Sequence, residues 1–196
     1  MANPPLSFKS VPLYGGAITA DLPSDFQDVS TIRQVPDTQE VHLSSTGDTS
    51  IVFDLLERVD KPTDEEAVKF HFEDILEDEM EGVRVWGGVE EVRVPDLPGV
   101  KAFTMFATSP PGEKQRGRAH EADFVGILLL VVRLEGKGTD LVVAVNVPHV
   151  EGEGGYVRGS VDLEGAKMGR LLEEGEGVRE RVRESLRVVD WGLFGE

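Results

Sequence analysis

Hydrophobic and polar positions change period several times along this chain, and each change marks an element. The first dozen residues, MANPPLSFKSVP, read as a loose N-terminus, after which LYGGAITADLP offers a turn at Gly15 and Gly16 and a short strand closed by Pro23. DVSTIR carries Asp28 and Ser30 as cap residues for one helical turn. Pro36 biases Val35 toward extended geometry, so no helix continues through IRQVPDTQEV. Strands are predicted over 38–44 and 50–59, joined by a hairpin at Gly47 and Asp48. Then the period lengthens. Val68, Phe72, Ile75 and Leu76 fall at i, i+4, i+7 and i+8 behind Thr63 or Asp64 as cap, which predicts a helix with a buried stripe and an acidic outer face.

Strands resume over 83–94, 101–108 and 124–134, the last turning through EGKGTD into LVVAVNVP as a hairpin. Its core, FVGILLLVV, is about half the ~20 residues of a membrane helix and reads as a central strand buried on both faces. SPPGEKQRGRAHEA reads as an exposed basic loop and GEGGYVRGS as a second flexible link. Met168, Leu172, Gly175, Val178, Val182, Leu186 and Val189 recur at helical spacing and predict a helix from about 163 to 186. Gly169, Gly175 and Gly177 weaken it, each by about 1 kcal/mol against alanine. Strands, helix, strands and helix in that order, with hairpin-length connections, imply an α+β fold: a mainly antiparallel sheet of about six strands covered by helices as an α/β/α sandwich. Residues 13–196 are expected to form one domain behind a flexible 1–12.

Charge then narrows the partners. The chain has 37 acidic and 20 basic residues among 196, a formal net charge of −17. Such a surface repels nucleic acid and anionic membranes and favours a basic partner. There are no cysteines, so disulfides and thiolate chemistry are excluded. The N-terminus lacks the continuous apolar run of a secretory signal.

Catalytic chemistry is hard to assemble from these residues. His42, His71, His120 and His149 sit in different elements without metal-site spacing, so neither a metal nor a cofactor is expected, and they read as surface or strand-end histidines. GxSxG is absent, and EGEGGYVRG and EEGEGV lack a phosphate-binding lysine. Asp54 and Glu57 in IVFDLLERVD look like an acid pair, but residues three apart on a strand point to opposite faces, so the carboxylates should diverge. They read either as solvated or salt-bridged strand acids or as part of an acidic patch with Asp37 and Glu40. Arg33 suits an internal pair or a partner contact equally. Glu77, Asp78, Glu79 and Glu81 extend the negative charge along the first helix, a pattern that usually marks a solvated face.

LYGGAITADLP, DVSTIRQVPDTQEV, SIVFDLLERVD, KFHFEDI, TDLVVAVNVP and VVDWGLFG, in that order over nearly the whole chain, resemble the Mog family of Ran-binding guanine-nucleotide release factors. VPDTQEV is the most specific of these segments. The resemblance implies a PsbP-like sandwich, binding to the GTPase Ran, stimulation of nucleotide release and a role in nuclear protein import, by a monomer of nucleus and cytoplasm that has no active site. It assigns the partner surface to Asp28, Arg33, Asp37, Glu40, Asp54 and Glu57. Two alternatives stay open: a Ran-binding adaptor without exchange activity, and a PsbP-like module for a small ligand, which would show an apolar pocket with a few polar groups. The acidic, glycine-rich approach to the last helix and the basic Pro-rich loop depart from the family pattern.

Overall fold

A computed structural model describes residues 6–30, 35–77, 79–111 and 120–195. Among these residues ten strands and two α-helices run in the order β1 (Phe8–Leu13), β2 (Ile18–Pro23), β3 (Phe26–Asp28), β4 (Gln39–Ser44), β5 (Ser50–Glu57), α1 (Asp64–Ile75), β6 (Arg84–Val92), β7 (Lys101–Ser109), β8 (Val125–Leu134), β9 (Thr139–Pro148), α2 (Arg170–Ser185) and β10 (Arg187–Val188). Seven of the strands form one sheet in the order β3-β4-β5-β9-β8-β7-β6, every neighbouring pair antiparallel. β9 takes the middle position, and β8 lies beside it. β1, β2 and β10 form a smaller antiparallel sheet with β2 at its centre.

The apolar runs of β8 and β9 explain the layering. Along them alternate residues enter two separate cores: Leu128, Leu130, Val143 and Val145 face α2 and the small sheet, while Ile127, Leu129, Val142 and Ala144 face α1. A strand sandwiched this way has no polar face. α1 starts in a capping box in which Thr63 accepts from the Glu66 amide and Glu66 reaches back to the Thr63 amide. Val68 and Phe72 carry its buried stripe. α2 closes tightly onto the sheet at Gly175, where a Cβ would lie 2.6 Å from Val147 Cγ2. The glycine that weakens this helix by propensity is the one that lets it pack.

Four expectations need correction. The loose N-terminal dozen is ordered from Phe8, because β1 pairs along its whole length with β2. The last helix begins at Arg170, not near 163: Gly169 precedes it at φ 75, a left-handed geometry that a helix does not contain. GEGGYVRGS is pinned, with Tyr156 buried and its hydroxyl donating to Asp123 Oδ2 at 2.8 Å. Ile75 is 36% exposed instead of buried, since α1 ends there before the stripe makes its next turn over the sheet. Val178, Val182 and Leu186 are buried as expected. Residues 31–34, which hold the second half of the DVSTIR turn, and 112–119, most of the basic loop, lie outside the described residues. No helix among the described residues is long and apolar enough to cross a membrane.

Candidate partner-binding site

β4 and β5 set the geometry of the acids. Gln39 pairs with Asp54 and Glu40 with Phe53, without a bulge, so side chains alternate strictly between the two faces. Asp54 shares its face with Val52 and, across β9, with Val142, on the α1 side of the sheet. Glu57 lies three residues on, at the exposed end of β5, and points to the other face. The two carboxylates diverge as the strand period requires. Glu40 also faces away from Asp54; its Oε1 accepts from the Tyr14 amide at 2.6 Å and its Oε2 is 3.8 Å from His42 Nε2. Asp37 is exposed in the turn that the Gln39 amide closes onto the Pro36 carbonyl at 2.9 Å. Asp28 Oδ1 accepts from the Ser30 amide and hydroxyl, at 2.9 and 2.6 Å. Burial works against ionisation of Asp28, but the Ser30 hydrogen bonds outweigh it and hold the carboxyl below its usual range. Arg33 lies outside the described residues.

Asp54 opens into a groove of about 670 Å³ between the end of α1 and the sheet. Val52, Leu56, Ile127, Val142 and Ala144 make an apolar floor, while Gln39, Asp54, Asp74, Glu77 and Glu79 supply polar and acidic groups. Gln39 Nε2 donates to Asp54 Oδ2 at 2.9 Å, and Asp54 Oδ1 has no hydrogen-bond partner among the described residues. Burial raises the Asp54 pKa and Asp74 adds to it, against the opposing pull of Gln39, Thr38 and His71. Burial therefore disfavours the charged form of Asp54, and a cation brought close would favour it. Glu77 and Glu79 were outside the expected site and read as a solvated face, and Asp74 was not singled out. The only signal for them was that Ile75 and Leu76 prolong the apolar stripe to the point where these acids begin.

Charges at the other end of α1 are arranged differently. Asp140 on β9 is 0% exposed and accepts from His71 Nε2 at 2.8 Å, Arg133 Nε at 3.2 Å and the Val59 amide at 3.3 Å. Arg133, 3% exposed at its side chain, also donates to Asp64 Oδ1 and to the Val59 carbonyl, and Lys101 Nζ reaches Asp64 Oδ2 at 2.8 Å. Lys101 and Arg133 together hold the Asp64 carboxyl below its usual range. Hence His71 is a buried structural histidine, and His42 and His149 are buried as well, which corrects the surface reading except that His149 does follow a strand end. No cluster of three potential metal ligands occurs among the described residues.

Comparison with known proteins places this geometry in context. Residues 11–148 match the family described as Ran-interacting Mog1 protein. The nuclear import protein MOG1 of Saccharomyces cerevisiae is 37% identical over 156 residues, covering 74% of this chain and 68% of that protein. The Ran guanine nucleotide release factor of Danio rerio is 30% identical over 193 residues, covering 95% and 100%. In structure, the Saccharomyces cerevisiae Ran-binding protein Mog1p superposes with a TM-score of 0.73 at 30% identity, over 97% of this chain and 100% of that one. Cyanobacterial PsbP from Synechocystis shares the fold, with a TM-score of 0.53 at 12% identity over 94% of each chain. A family match over most of the length, on a sandwich of the same architecture, means that this chain belongs to the Mog1 family.

Proposed function

We propose that this chain binds the small GTPase Ran and promotes release of its guanine nucleotide in support of nuclear protein import, acting as a monomeric regulator in nucleus and cytoplasm without an active site of its own. The observation that carries the reading is Asp54: a partly buried carboxylate lining a groove whose rim holds three further acids. A net charge of −17 supports a basic protein surface as the occupant. Contact is assigned to Asp54, to the exposed Asp37 and Glu57, and to Arg33 in the same family segment. Asp28 and Glu40 have their carboxylates turned to the protein's own backbone.

The chemistry follows from what a GTPase must hold. Its phosphates and magnesium are held by a lysine, backbone amides and hydroxyl and carboxylate ligands, and carboxylates presented at that site compete for the same cationic groups. Release then requires that the chain bind nucleotide-free Ran more tightly than loaded Ran, because only differential affinity shifts the equilibrium. The coupling is reciprocal, so excess nucleotide must dissociate the complex. Ran loaded with a fluorescent guanine nucleotide is expected to lose it many-fold faster on stoichiometric addition of this protein. Equal affinity for GTP, GDP and empty forms, with no acceleration, would instead identify an adaptor. The apolar floor favours one second reading, a small-ligand groove, for which a compound that binds the groove without displacing Ran would be the mark.

A further inference from the structure

LYGGAITADLP is a family segment to which the surface reading gives no task. Within it, Tyr14 sits between β1 and β2 at φ 50, followed by Gly15 and Gly16 at φ 66 and 94. A bulky residue in the left-handed region is a strained arrangement that persists only where its surroundings hold it. Here two contacts do so. The Tyr14 amide donates to Glu40 Oε1 at 2.6 Å, and its hydroxyl donates to the Thr38 carbonyl at 3.0 Å. That carbonyl also accepts the Leu55 amide at 2.9 Å, next to the Gln39 and Asp54 pair. Thus one residue of the β1–β2 connection grips both the turn that carries Asp37, through its hydroxyl, and the start of β4, through its amide.

We infer that Tyr14 and Glu40 are positioning residues that clamp the 36–38 turn against Asp54, and that Glu40 is not a contact residue; this rests on the Ran-binding reading. The internal bonding of the carboxylate argues against contact. Glu40 Oε1 is taken by the Tyr14 amide at 2.6 Å, and the side chain is only 20% exposed. Moving Thr38 would move Gln39, whose side-chain amide holds Asp54 Oδ2 at 2.9 Å. The opposite root of the segment is tied in the same manner: Ser30 Oγ, which donates to Asp28, accepts the Val41 amide at 2.9 Å, and the Val29 amide donates to the Val41 carbonyl at 2.9 Å. Asp28 and Glu40, two acids that the family pattern places on the surface, therefore hold the two ends of the loop, and Asp37 lies between them.

The test uses the full chain and nucleotide-free Ran, with affinity measured at several salt concentrations and amide hydrogen exchange followed in the free protein. Tyr14→Phe is expected to weaken binding about 3- to 10-fold, the scale of one net hydrogen bond, with the salt slope unchanged because no charge is lost. Exchange at Gln39 and Leu55 should accelerate while amides of β8 and β9 keep their protection. Glu40→Gln retains an oxygen for the Tyr14 amide and should bind within about 2-fold of the parent at the same slope. Glu40→Ala should resemble Tyr14→Phe. The inference is overturned if Glu40→Gln weakens binding and flattens the salt slope as Asp54→Asn does, or if Tyr14→Phe changes neither binding nor exchange. A parent chain that binds no form of Ran overturns the function reading, while exchange at Gln39 and Leu55 still decides the clamp.

Discussion

The two ends of α1 make opposite uses of charge. At its N-terminus Asp64, favoured there by the helix dipole, is neutralised by Lys101 and Arg133, which in turn meets Asp140 and His71 in a buried network. At its C-terminus Asp74, Glu77 and Glu79 gather with no basic residue in the last turn, where the dipole disfavours acids, and Asp54 faces them from the sheet. Glu77 is also held at φ 50. The first end is satisfied within the fold. The second is a concentration of like charge without a basic partner among the described residues, which is the arrangement expected of a recognition surface and not of a scaffold.

If this contrast is right, removing an acid should be harmful at one end and helpful to the fold at the other. Asp140→Ala leaves Arg133 buried beside an empty acceptor and should destabilise the protein by roughly 3–5 kcal/mol in urea or thermal unfolding. A loss below about 1 kcal/mol would mean that the network is effectively solvated. Next in size, Asp54→Lys should weaken Ran binding by roughly 2 kcal/mol or more in a titration while the far-ultraviolet spectrum stays unchanged, with Glu57→Lys costing less because it faces away from the groove. Equal losses at the two positions would show that total charge, not the groove, drives association.

Smaller still, Asp74→Lys places a cation at the helix C-terminus and should raise stability by about 0.3–1 kcal/mol while weakening Ran binding. A destabilised variant would contradict the dipole argument. The smallest effect sharpens the point about Asp54. Burial raises its pKa, so its ionised form opposes folding at neutral pH, and that penalty vanishes below the unfolded-state value of about 3.9. Asp54→Asn should therefore melt higher than the parent at pH 7, with the gap closing toward pH 3. A gap that widens on acidification would reverse the sign of the shift and remove the case for a strained carboxylate.

Much of this was legible along the chain. The 3.6-residue period of Val68 and Phe72 and the Thr63 cap locate α1 almost to the residue, and the unbroken apolar runs of 124–134 and 139–148 identify strands covered on both sides. The period of two also predicts the divergence of Asp54 and Glu57. Errors came where local pattern carries no information about pairing. Phe8–Leu13 alternates poorly and contains Pro12, and only its partner β2 makes it a strand. The acids beyond α1 look like any solvated charge run until the helix end is set against Asp54.

What the sequence determined alone is thus α1 and the strands β4 to β9 of the large sheet, the antiparallel class, the acidic character and the family. The tertiary structure decided which carboxylates are neutralised and which are left facing outward. Asp64 finds Arg133 across 69 residues and His71 finds Asp140 across another 69, because α1 lies over the β8–β9 hairpin in one register. Composition counts all these acids alike. Strand register and helix placement separate them: Lys101 and Arg133 hold Asp64, whereas Asp74, about three turns further along the same helix, has no cation partner among the described residues.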